Sequence, residues 1–300
     1  MRGGVTLLGP LLALASAVAF AFGNVFISRT GLSQGDRGVM FSVVVTMAMS
    51  AALWGVIEGT ALPLGLPWRG IVWFALAGVS AMVFGRSLLY ASVRRLGVAR
   101  SSAVKRLNPF FSVLLASVIL QEAIGLSDLA GMVCIAAGFG LMIQESFAQR
   151  ATDPTGHRPA DYAIGVTAAL AYAMAYILRK LGLEALPSPA FGTFISALAG
   201  FCVFLGSSVV NPRMRANLVG MFRHLDRWIG LAAVFVSIGQ ILMFAALAYA
   251  EVSTVVMIAS LEIFLSIFLS IFVFKTERRL TRAVMIAAVL AFIGVGLVAA

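Results

Sequence analysis

The sequence predicts an all-α polytopic membrane protein with ten transmembrane helices arranged as two inverted five-helix repeats. Three observations support this fold class. The chain of 300 residues is 61% hydrophobic and only 11% charged, whereas a soluble domain carries about a quarter charged residues. The apolar residues fall into blocks of roughly 17–25 residues, the length of helix that crosses about 30 Å of hydrocarbon. The two halves of the chain also resemble each other weakly.

The first five helices follow from apolar blocks separated by short polar connections. The block that begins the chain continues past any small-residue cleavage site, so we interpret it as a membrane helix and not as a removed signal peptide. The apolar run Phe110–Leu120 is too short to cross a bilayer, so helix 4 must begin before Lys105. The predicted helices are Leu7–Ser28, Val39–Ile57, Trp68–Ala91, Ala99–Leu120 and Leu126–Ile143.

The last five helices follow a polar connection at mid-chain, Gln144–Asp161. A second long connection, Asn211–Arg227, is also too short to form a soluble domain. The predicted helices are Ala163–Leu181, Ala190–Val210, Trp228–Tyr249, Val252–Phe274 and Arg282–Ala299. The expected organisation is therefore one five-helix repeat over residues 1–143, a connecting loop over 144–161 and a second repeat over 162–300.

An internal repeat is visible at a shift of 154 to 156 residues. Residues 88–104 align with 242–258, the segment ending at Glu122 aligns with the one ending at Glu277, and GFGL (138–141) parallels GVGL (294–297). Because five is an odd number of crossings, the second copy must be inverted in the membrane. Inverted repeats are common in transporters that alternate access around a midplane site.

The sequence resembles the EamA-like ten-helix family of the drug/metabolite transporter superfamily over nearly its whole length. The most specific segments are FGNVFISR (22–29), YASVRRLGVARSSAVKRLNPFFSVLLASVILQE (90–122) and FVFKTERRLT (272–281). The resemblance implies a proline, an apolar run and then a glutamate in helix 4, which Pro109 to Glu122 fits. In helix 9, Glu262-Ile263 stands where the proline is expected, so this helix should lack its break. The resemblance implies a carrier of small organic molecules and no particular one.

The net charge of +10 comes mainly from connections after the odd-numbered helices. The positive-inside rule places these connections in the cytoplasm and both termini outside, in the bacterial cytoplasmic (inner) membrane. We interpret the cations as contacts with anionic lipid head groups and not with nucleic acid. The cations on this face are Arg29, Arg37, Arg94, Arg95, Arg100, Arg150, Arg158, Arg213, Arg215, Arg223, Arg227, Lys275, Arg278, Arg279 and Arg282. Those assigned to the opposite face are Arg2, Arg69, Arg179 and Lys180.

Charges inside the predicted helices are the candidate substrate site, because a charge at helix centre costs roughly 2.5–3.5 kcal/mol. Glu262 aligns with Asn108 in the repeat; it either binds a substrate cation, carries a proton, or pairs with Lys105 or Arg106 for packing. Arg86 could bind a substrate carboxylate or phosphate through a bidentate contact. An ion pair with Glu262, or a position at the lipid-facing edge, would account for its place in the helix equally well. Lys105 and Arg106 either snorkel to the head groups or face a cavity. Since neighbours on a helix point about 100° apart, at most one of the two should face a central cavity well.

Polar, aromatic and small residues complete the candidate set. Pro109 is expected to kink helix 4, and Glu122 and Glu277 fall at helix ends as caps or pairs. The further substrate-binding candidates are Asn24, Tyr90, Asn108, Tyr172, Tyr176 and Gln240, which interhelical packing explains equally well. Glycines in helices 5 and 10 allow close backbone approach, and the resemblance implies scaffold or dimer contacts there. These glycines are Gly131, Gly138, Gly140, Gly294 and Gly296.

The sequence favours a secondary active transporter that exports a small organic metabolite, amino-acid-like or amphiphilic, by alternating access. An importer of a vitamin or nucleobase-type solute, a lipid-linked head-group translocase and a non-transporting scaffold stay open. Enzyme chemistry is not expected, because His157 and His224 lie in polar loops without a nucleophile, and no P-loop for ATP is found. The expected partners are a small-molecule substrate and membrane lipids, and coupling to protons is possible. No cofactor, metal or nucleic acid is expected. The expected oligomeric state is a monomer or a homodimer.

Overall fold

The computed structural model describes residues 7–29, 35–58, 67–148, 159–223, 225–274 and 282–299. Within these ranges every apolar block is helical and no β-strand occurs. In this described part, 8 helices are long and apolar enough to cross a membrane, judged by length and composition. Two shorter apolar helices, Asn108–Leu120 and Arg282–Val298, stand where predicted helices 4 and 10 were expected. The all-α polytopic fold is confirmed, while the count of ten crossings depends on these two shorter helices.

The first half of the chain contains α1 (Leu8–Arg29), α2 (Gly35–Leu53), α3 (Trp68–Val79), α4 (Arg86–Lys105), α5 (Asn108–Leu115) and α6 (Leu126–Ala148). π-Helical turns follow α2 at Trp54–Glu58, join α3 to α4 at Ser80–Gly85 and extend α5 at Ala116–Leu120. The second half contains α7 (Pro159–Ala185), α8 (Pro189–Val210), α9 (Pro212–Val219), α10 (Arg227–Tyr249), α11 (Val252–Ala259), α12 (Glu262–Phe268) and α13 (Arg282–Ala299). A π-helical turn at Leu269–Val273 follows α12.

The chain reverses direction inside α4, where predicted helices 3 and 4 meet. Ser92 Oγ and Ser101 Oγ are 2.9 Å apart, although nine residues span about 13.5 Å along a straight helix. Gly165 of α7 lies against both arms, because a Cβ built on it would be 2.8 Å from Ser92 Oγ and 3.0 Å from Val104 Cγ1. The connection expected between Ala91 and Ala99 is therefore a sharp helical bend and not an open loop.

One predicted connection, Asn211–Arg227, contains the short helix α9. The Asn211 side chain accepts a hydrogen bond from the Arg213 backbone N–H at 3.0 Å and so caps this helix. Pro212 occupies the first helical position, where its missing N–H costs nothing. The sequence Asn211-Pro212-Arg213 is therefore a helix-start signal. The prediction of a connection without a helix did not take it into account.

Predicted helix 9 is broken between α11 and α12, so the expectation that it lacks a break was wrong. The Ser260 hydroxyl donates to the Met257 carbonyl at 2.6 Å, which competes with the regular helical hydrogen bond. Leu261 N then donates to Ile258 O at 3.1 Å, a shorter-range bond that tightens the turn. The turn thus forms without a proline, and Glu262 begins the next helix.

The same break occurs in predicted helix 4, at the shift of 154 residues found in the sequence. Leu107 N donates to Val104 O at 3.0 Å, the counterpart of the Leu261–Ile258 bond. Pro109 lies buried in the first turn of α5, where a proline starts a helix readily. The expected disruption of helix 4 is observed, as a turn just before the proline.

The last helices of the two halves, α6 and α13, pack antiparallel at their glycines. A Cβ on Gly131 would lie 2.5 Å from Gly294 O, and one on Gly138 would lie 2.7 Å from Ala287 O. The beginning of α6 therefore contacts the end of α13, and the later part of α6 contacts the beginning of α13. α1 likewise packs against α10, while its counterpart α7 packs against α3. Equivalent helices that run in opposite directions are what two inverted repeats require.

The connections rich in cations gather at one end of the molecule. Arg95 Nη1 forms an ion pair with Asp161 Oδ1 at 3.1 Å, which joins the α4 bend to the start of α7. Arg37 Nε donates to Asn217 Oδ1 at 3.1 Å, which joins the start of α2 to α9. We call the end that carries Arg37 and Arg95 the cationic face.

At the opposite face, two charged side chains hold the connection between α10 and α11. Lys180 Nζ donates to Ala250 O at 2.9 Å beyond the end of α10. Glu122 Oε1 accepts from Val252 N at 2.7 Å and Oε2 accepts from Ser253 N at 3.0 Å. The prediction that Glu122 caps a helix end is confirmed, and the cap joins the two repeats. The corresponding Glu277 lies outside the described residues.

Replacing Glu122 by Gln is expected to lower the free energy of unfolding by about 1–2 kcal/mol. The glutamine amide keeps one acceptor oxygen but loses the second. It also removes the negative charge from the N-terminus of α11. Glu184→Gln, which removes an exposed carboxylate at the end of α7, is the control and should change little. The measurement is the thermal unfolding midpoint of each purified variant in one detergent. Equal midpoints for the two variants would remove the capping role.

Candidate functional site

Lys105 and Glu262 stand beside the two helix breaks, one in each repeat. Lys105 is the last residue of α4 and Glu262 the first residue of α12. Their charges are close enough to interact, yet in the described part of the chain the two groups form no direct ion pair. Lys105 is exposed and Glu262 half-buried. The two opposite charges are therefore near each other but not directly paired.

The wall beside these charges is formed by α7. Lys105 Nζ lies 5.5 Å from the centroid of the Tyr172 ring, a cation–π distance. Tyr176 lies one turn further along and within electrostatic range of both Lys105 and Glu262. The structure therefore brings together four of the predicted site residues, from predicted helices 4, 6 and 9.

Arg179 joins the same wall; the sequence placed it near the end of predicted helix 6, on the face opposite the cations. It is only 7% exposed, and its guanidinium carbon lies 5.3 Å from the Tyr176 ring and 4.9 Å from the Phe244 ring. Its Nε is buried without a hydrogen-bond partner among the described residues. The sequence analysis did not include Arg179 among the candidate site residues. The spacing of three residues from Tyr176 and seven from Tyr172 places all three on one helix face, which was the available signal.

Asn24 connects α1 to the second helix break. Its Nδ2 donates to Ser266 Oγ at 3.3 Å, and Ser266 Oγ donates to the Glu262 carbonyl at 2.6 Å. These two hydrogen bonds in series connect Asn24 to the first turn of α12, which carries the Glu262 carboxylate. Ser266 was not among the predicted residues, although it lies one turn after Glu262 on the same helix face.

Asn108 occupies the position in the first repeat that Glu262 occupies in the second. Its side-chain oxygen accepts from Ser112 Oγ at 3.2 Å, and the same hydroxyl is 2.9 Å from the Asn108 carbonyl. The amide is thus engaged within its own helix. The breaks are equivalent in backbone geometry but carry different chemistry: a neutral amide in one repeat and a carboxylate in the other.

Arg86 begins α4 and faces α8. It is 8% exposed, and its guanidinium carbon lies 5.5 Å from the Phe204 ring of that helix. Met82, one turn earlier, also faces α8, since a Cβ on Gly200 would be 2.9 Å from its Cγ. This ring contact is with α8, whereas a Cβ on the neighbouring Gly85 would lie 3.1 Å from the Tyr172 ring of α7.

Of three further predicted residues, Gln240 lies in α10, Arg106 lies just before α5, and the side chain of Tyr90 is not described. Gln240 is half-buried in α10, next to Gly239, whose carbonyl accepts from Ser16 Oγ at 2.8 Å. The Tyr90 side chain lies outside the described part. Arg106 lies over the Phe139 ring of α6 at 5.8 Å, so Lys105 and Arg106 contact different helices, as their separation of about 100° predicts.

The assembled site contains the exposed cation of Lys105, the carboxylate of Glu262 and the phenol rings of Tyr172 and Tyr176. Its second cation, the guanidinium of Arg179, is buried. These groups suit a ligand that carries an anionic group, an ammonium group and an apolar body. Among the described residues no cluster of His, Cys, Asp or Glu suits a metal ion.

The many apolar helices, the inverted packing and charges held between the repeats define a membrane transporter. The chain belongs to the EamA-like transporter family, whose model matches residues 7–144 and again residues 161–300. A protein of Bacillus subtilis (strain 168), the uncharacterized transporter YvbV, is 29% identical over 153 residues, and the match spans 50% of this chain and 49% of that protein. A solved crystal structure superposes with a TM-score of 0.71 at 15% identity, covering 96% of this chain and 95% of the other, which shows the shared fold.

Proposed function

We propose that this chain is a secondary active transporter that exports a small zwitterionic, amino-acid-like compound across the bacterial inner membrane. One observation carries the proposal: a lysine and a glutamate stand at equivalent helix breaks in the two repeats and interact without a direct ion pair. Charges held within membrane helices usually mark a substrate or ion pathway.

A zwitterion with an apolar side chain satisfies every group of this site. Its carboxylate would lie between Lys105 and Arg179, whose Nε has no hydrogen-bond partner among the described residues. Its ammonium group would lie against Glu262, and its apolar body against the rings of Tyr172 and Tyr176. A buried charge without a partner is costly, so a ligand with both charges binds better than one with a single charge.

The packing supports a conformation that opens toward the cationic face. Among the described residues, the largest cluster of buried apolar side chains joins both repeats and extends from the helix break at Ala259 to the opposite face. It includes Phe74 of α3, Leu186 after α7, Leu247 of α10 and Val252 of α11. In the same region Lys180 and Glu122 hold the α10–α11 connection. The positive-inside rule assigns the cationic face to the cytoplasm and both termini to the outside, so this conformation would load substrate from the cytoplasm.

Glu262 also suits exchange of substrate for protons. Its carboxylate can be neutralised either by the substrate ammonium group or by a proton, and only one of them fits at a time. Each half-cycle would then cross the membrane with the carboxylate neutralised, because an uncompensated charge at this depth is costly. The two helix breaks would act as hinges of the rocking repeats.

Ligand-dependent stability tests the substrate class without assuming a direction. A bound ligand raises the unfolding midpoint in proportion to RT ln(1 + [L]/Kd). We expect amphiphilic amino acids to raise the midpoint of the purified protein, whereas the matching amine and the matching carboxylic acid should each do so less. Stabilisation by vitamins or nucleobases alone would favour the importer, and no stabilisation across the panel would favour a non-transporting scaffold.

Transport itself is then measured in proteoliposomes with the stabilising compound. We expect its flux to follow an imposed pH gradient of either sign and to stop when the gradient is collapsed. Flux that ignores the gradient would remove proton exchange and leave the substrate site intact.

A further inference from the structure

A groove opens on the outer surface of the molecule between α5 and α6. Its volume is about 280 Å³, and its lining includes Arg106 and Phe110 on one side and Ala136, Phe139 and Gly140 of α6 on the other. Ala136 and Gly140 are exposed, and a Cβ on Gly140 would meet no atom within 4 Å. The groove is therefore open toward the surrounding lipid.

The groove contains one charged group that the transport site does not use. Arg106 Nη1 is buried and has no hydrogen-bond partner among the described residues, and in that part of the chain no carboxylate pairs with Arg106. The Phe139 ring, 5.8 Å away, is its described neighbour. An unsatisfied buried donor on a charged group is costly, so an acceptor with negative charge would stabilise this arrangement.

The depth of the groove matches the boundary between lipid head groups and acyl chains. Arg106 follows Ser101, which lies in the bend at the cationic face, by five residues, or about 7.5 Å along a helix. Gly140 stands eight residues before Ala148 at the end of α6, about 12 Å from the same face. The walls of the groove then continue inward with apolar side chains, which suit an acyl chain.

We propose that this groove binds an anionic phospholipid from the leaflet at the cationic face. The lipid phosphate accepts hydrogen bonds from Arg106, and an acyl chain lies along Phe110, Ala136 and Gly140. A free phosphate ester would gain the arginine contact and nothing from the apolar walls. A zwitterionic phospholipid carries an ammonium group that weakens the attraction to a single guanidinium.

Native mass spectrometry of the full-length protein tests this assignment by counting the lipids that it retains. The protein in detergent is mixed with equal amounts of phosphatidylglycerol and phosphatidylcholine of identical acyl chains. We expect the wild-type protein to retain phosphatidylglycerol preferentially, and Arg106→Gln to lower that retention at least about fivefold, which corresponds to about 1 kcal/mol. Retention of phosphatidylcholine should stay the same in both proteins.

Two further variants separate the groove from general charge attraction. Gly140→Leu fills the groove without touching the guanidinium and should also lower retention of phosphatidylglycerol. Arg213→Gln, which removes an exposed cation of α9 at the same face, should leave it unchanged. Equal retention by wild type and Arg106→Gln, or an equal loss in Arg213→Gln, would overturn the proposal. Displacement of the lipid by glycerol phosphate at a similar concentration would also overturn it and identify a site for free anions.

Discussion

Replacing Glu262 by Gln is expected to lower the initial rate of transport at least about 100-fold while the protein stays folded. Glutamine keeps the size and one acceptor of the side chain but removes its charge. The substrate ammonium group then loses its counter-charge within the membrane, where truncation of one partner of a buried pair costs about 2–5 kcal/mol. The amide also cannot take up a proton, so both proposed roles of the residue are lost together.

The measurement is uptake of labelled substrate into proteoliposomes, with protein content matched by quantitative gel analysis. Glu184→Gln is the control, because it removes an exposed carboxylate from the end of α7 and should transport at the wild-type rate. A single symmetrical peak in gel filtration and an unchanged unfolding midpoint show that Glu262→Gln is folded. Wild-type flux in a folded Glu262→Gln variant would remove this residue from the site.

Counterflow separates the two roles of Glu262. In this assay labelled substrate exchanges for unlabelled substrate, so no net proton movement is needed. If the carboxylate binds substrate, Glu262→Gln should lose counterflow together with gradient-driven transport. Counterflow that survives while gradient-driven transport disappears would assign Glu262 to the proton alone and leave the ammonium group of the substrate without a partner.

The fold class could be predicted because bilayer physics leaves few choices. Apolar blocks of spanning length must be helical, and five crossings per repeat require inversion. The sequence alignment also placed Asn108 and Glu262 at equivalent positions of the two repeats, although it did not anticipate the break beside Glu262. The break in helix 9 could not be predicted from proline alone, because the same turn forms there without one, at a serine whose hydroxyl bonds to the Met257 carbonyl. Serines at many helix positions make such bonds without breaking the helix.

The candidate site was predicted less completely than the fold. Lys105, Glu262, Tyr172 and Tyr176 were named from charge, depth and spacing, and the structure brings them together. Which helix each side chain faces depends on rotation about the helix axis, which an all-round apolar helix does not reveal. The contact of Arg86 with the Phe204 ring of α8, for example, could not be read from the sequence.

A single added methyl group at Gly294 is expected to destabilise the protein, whereas the same change at Gly296 is not. A Cβ at Gly294 would lie 2.6 Å from Gly131 O and 2.8 Å from Ile135 Cγ1 of α6, so the helices must separate. Overpacking of this kind costs about 1–3 kcal/mol, and a backbone carbonyl cannot move aside as a side chain does. At Gly296 a Cβ meets no atom within 4 Å, so alanine should gain up to about 1 kcal/mol of helix propensity.

Gly294→Ala and Gly296→Ala therefore form a matched pair. The unfolding midpoint of the purified protein, measured in one detergent, should fall in the first variant and stay equal or rise in the second. Gly131→Ala adds a second test from the other side of the contact, because its Cβ would lie 2.5 Å from Gly294 O. The two contact variants should be non-additive, since the first already separates the backbones that the second would push apart. Midpoints that fall equally for Gly294→Ala and Gly296→Ala would mean that the loss comes from the helix itself. The antiparallel contact of α6 with α13, and with it the inverted packing of the two repeats, would then lose its physical support.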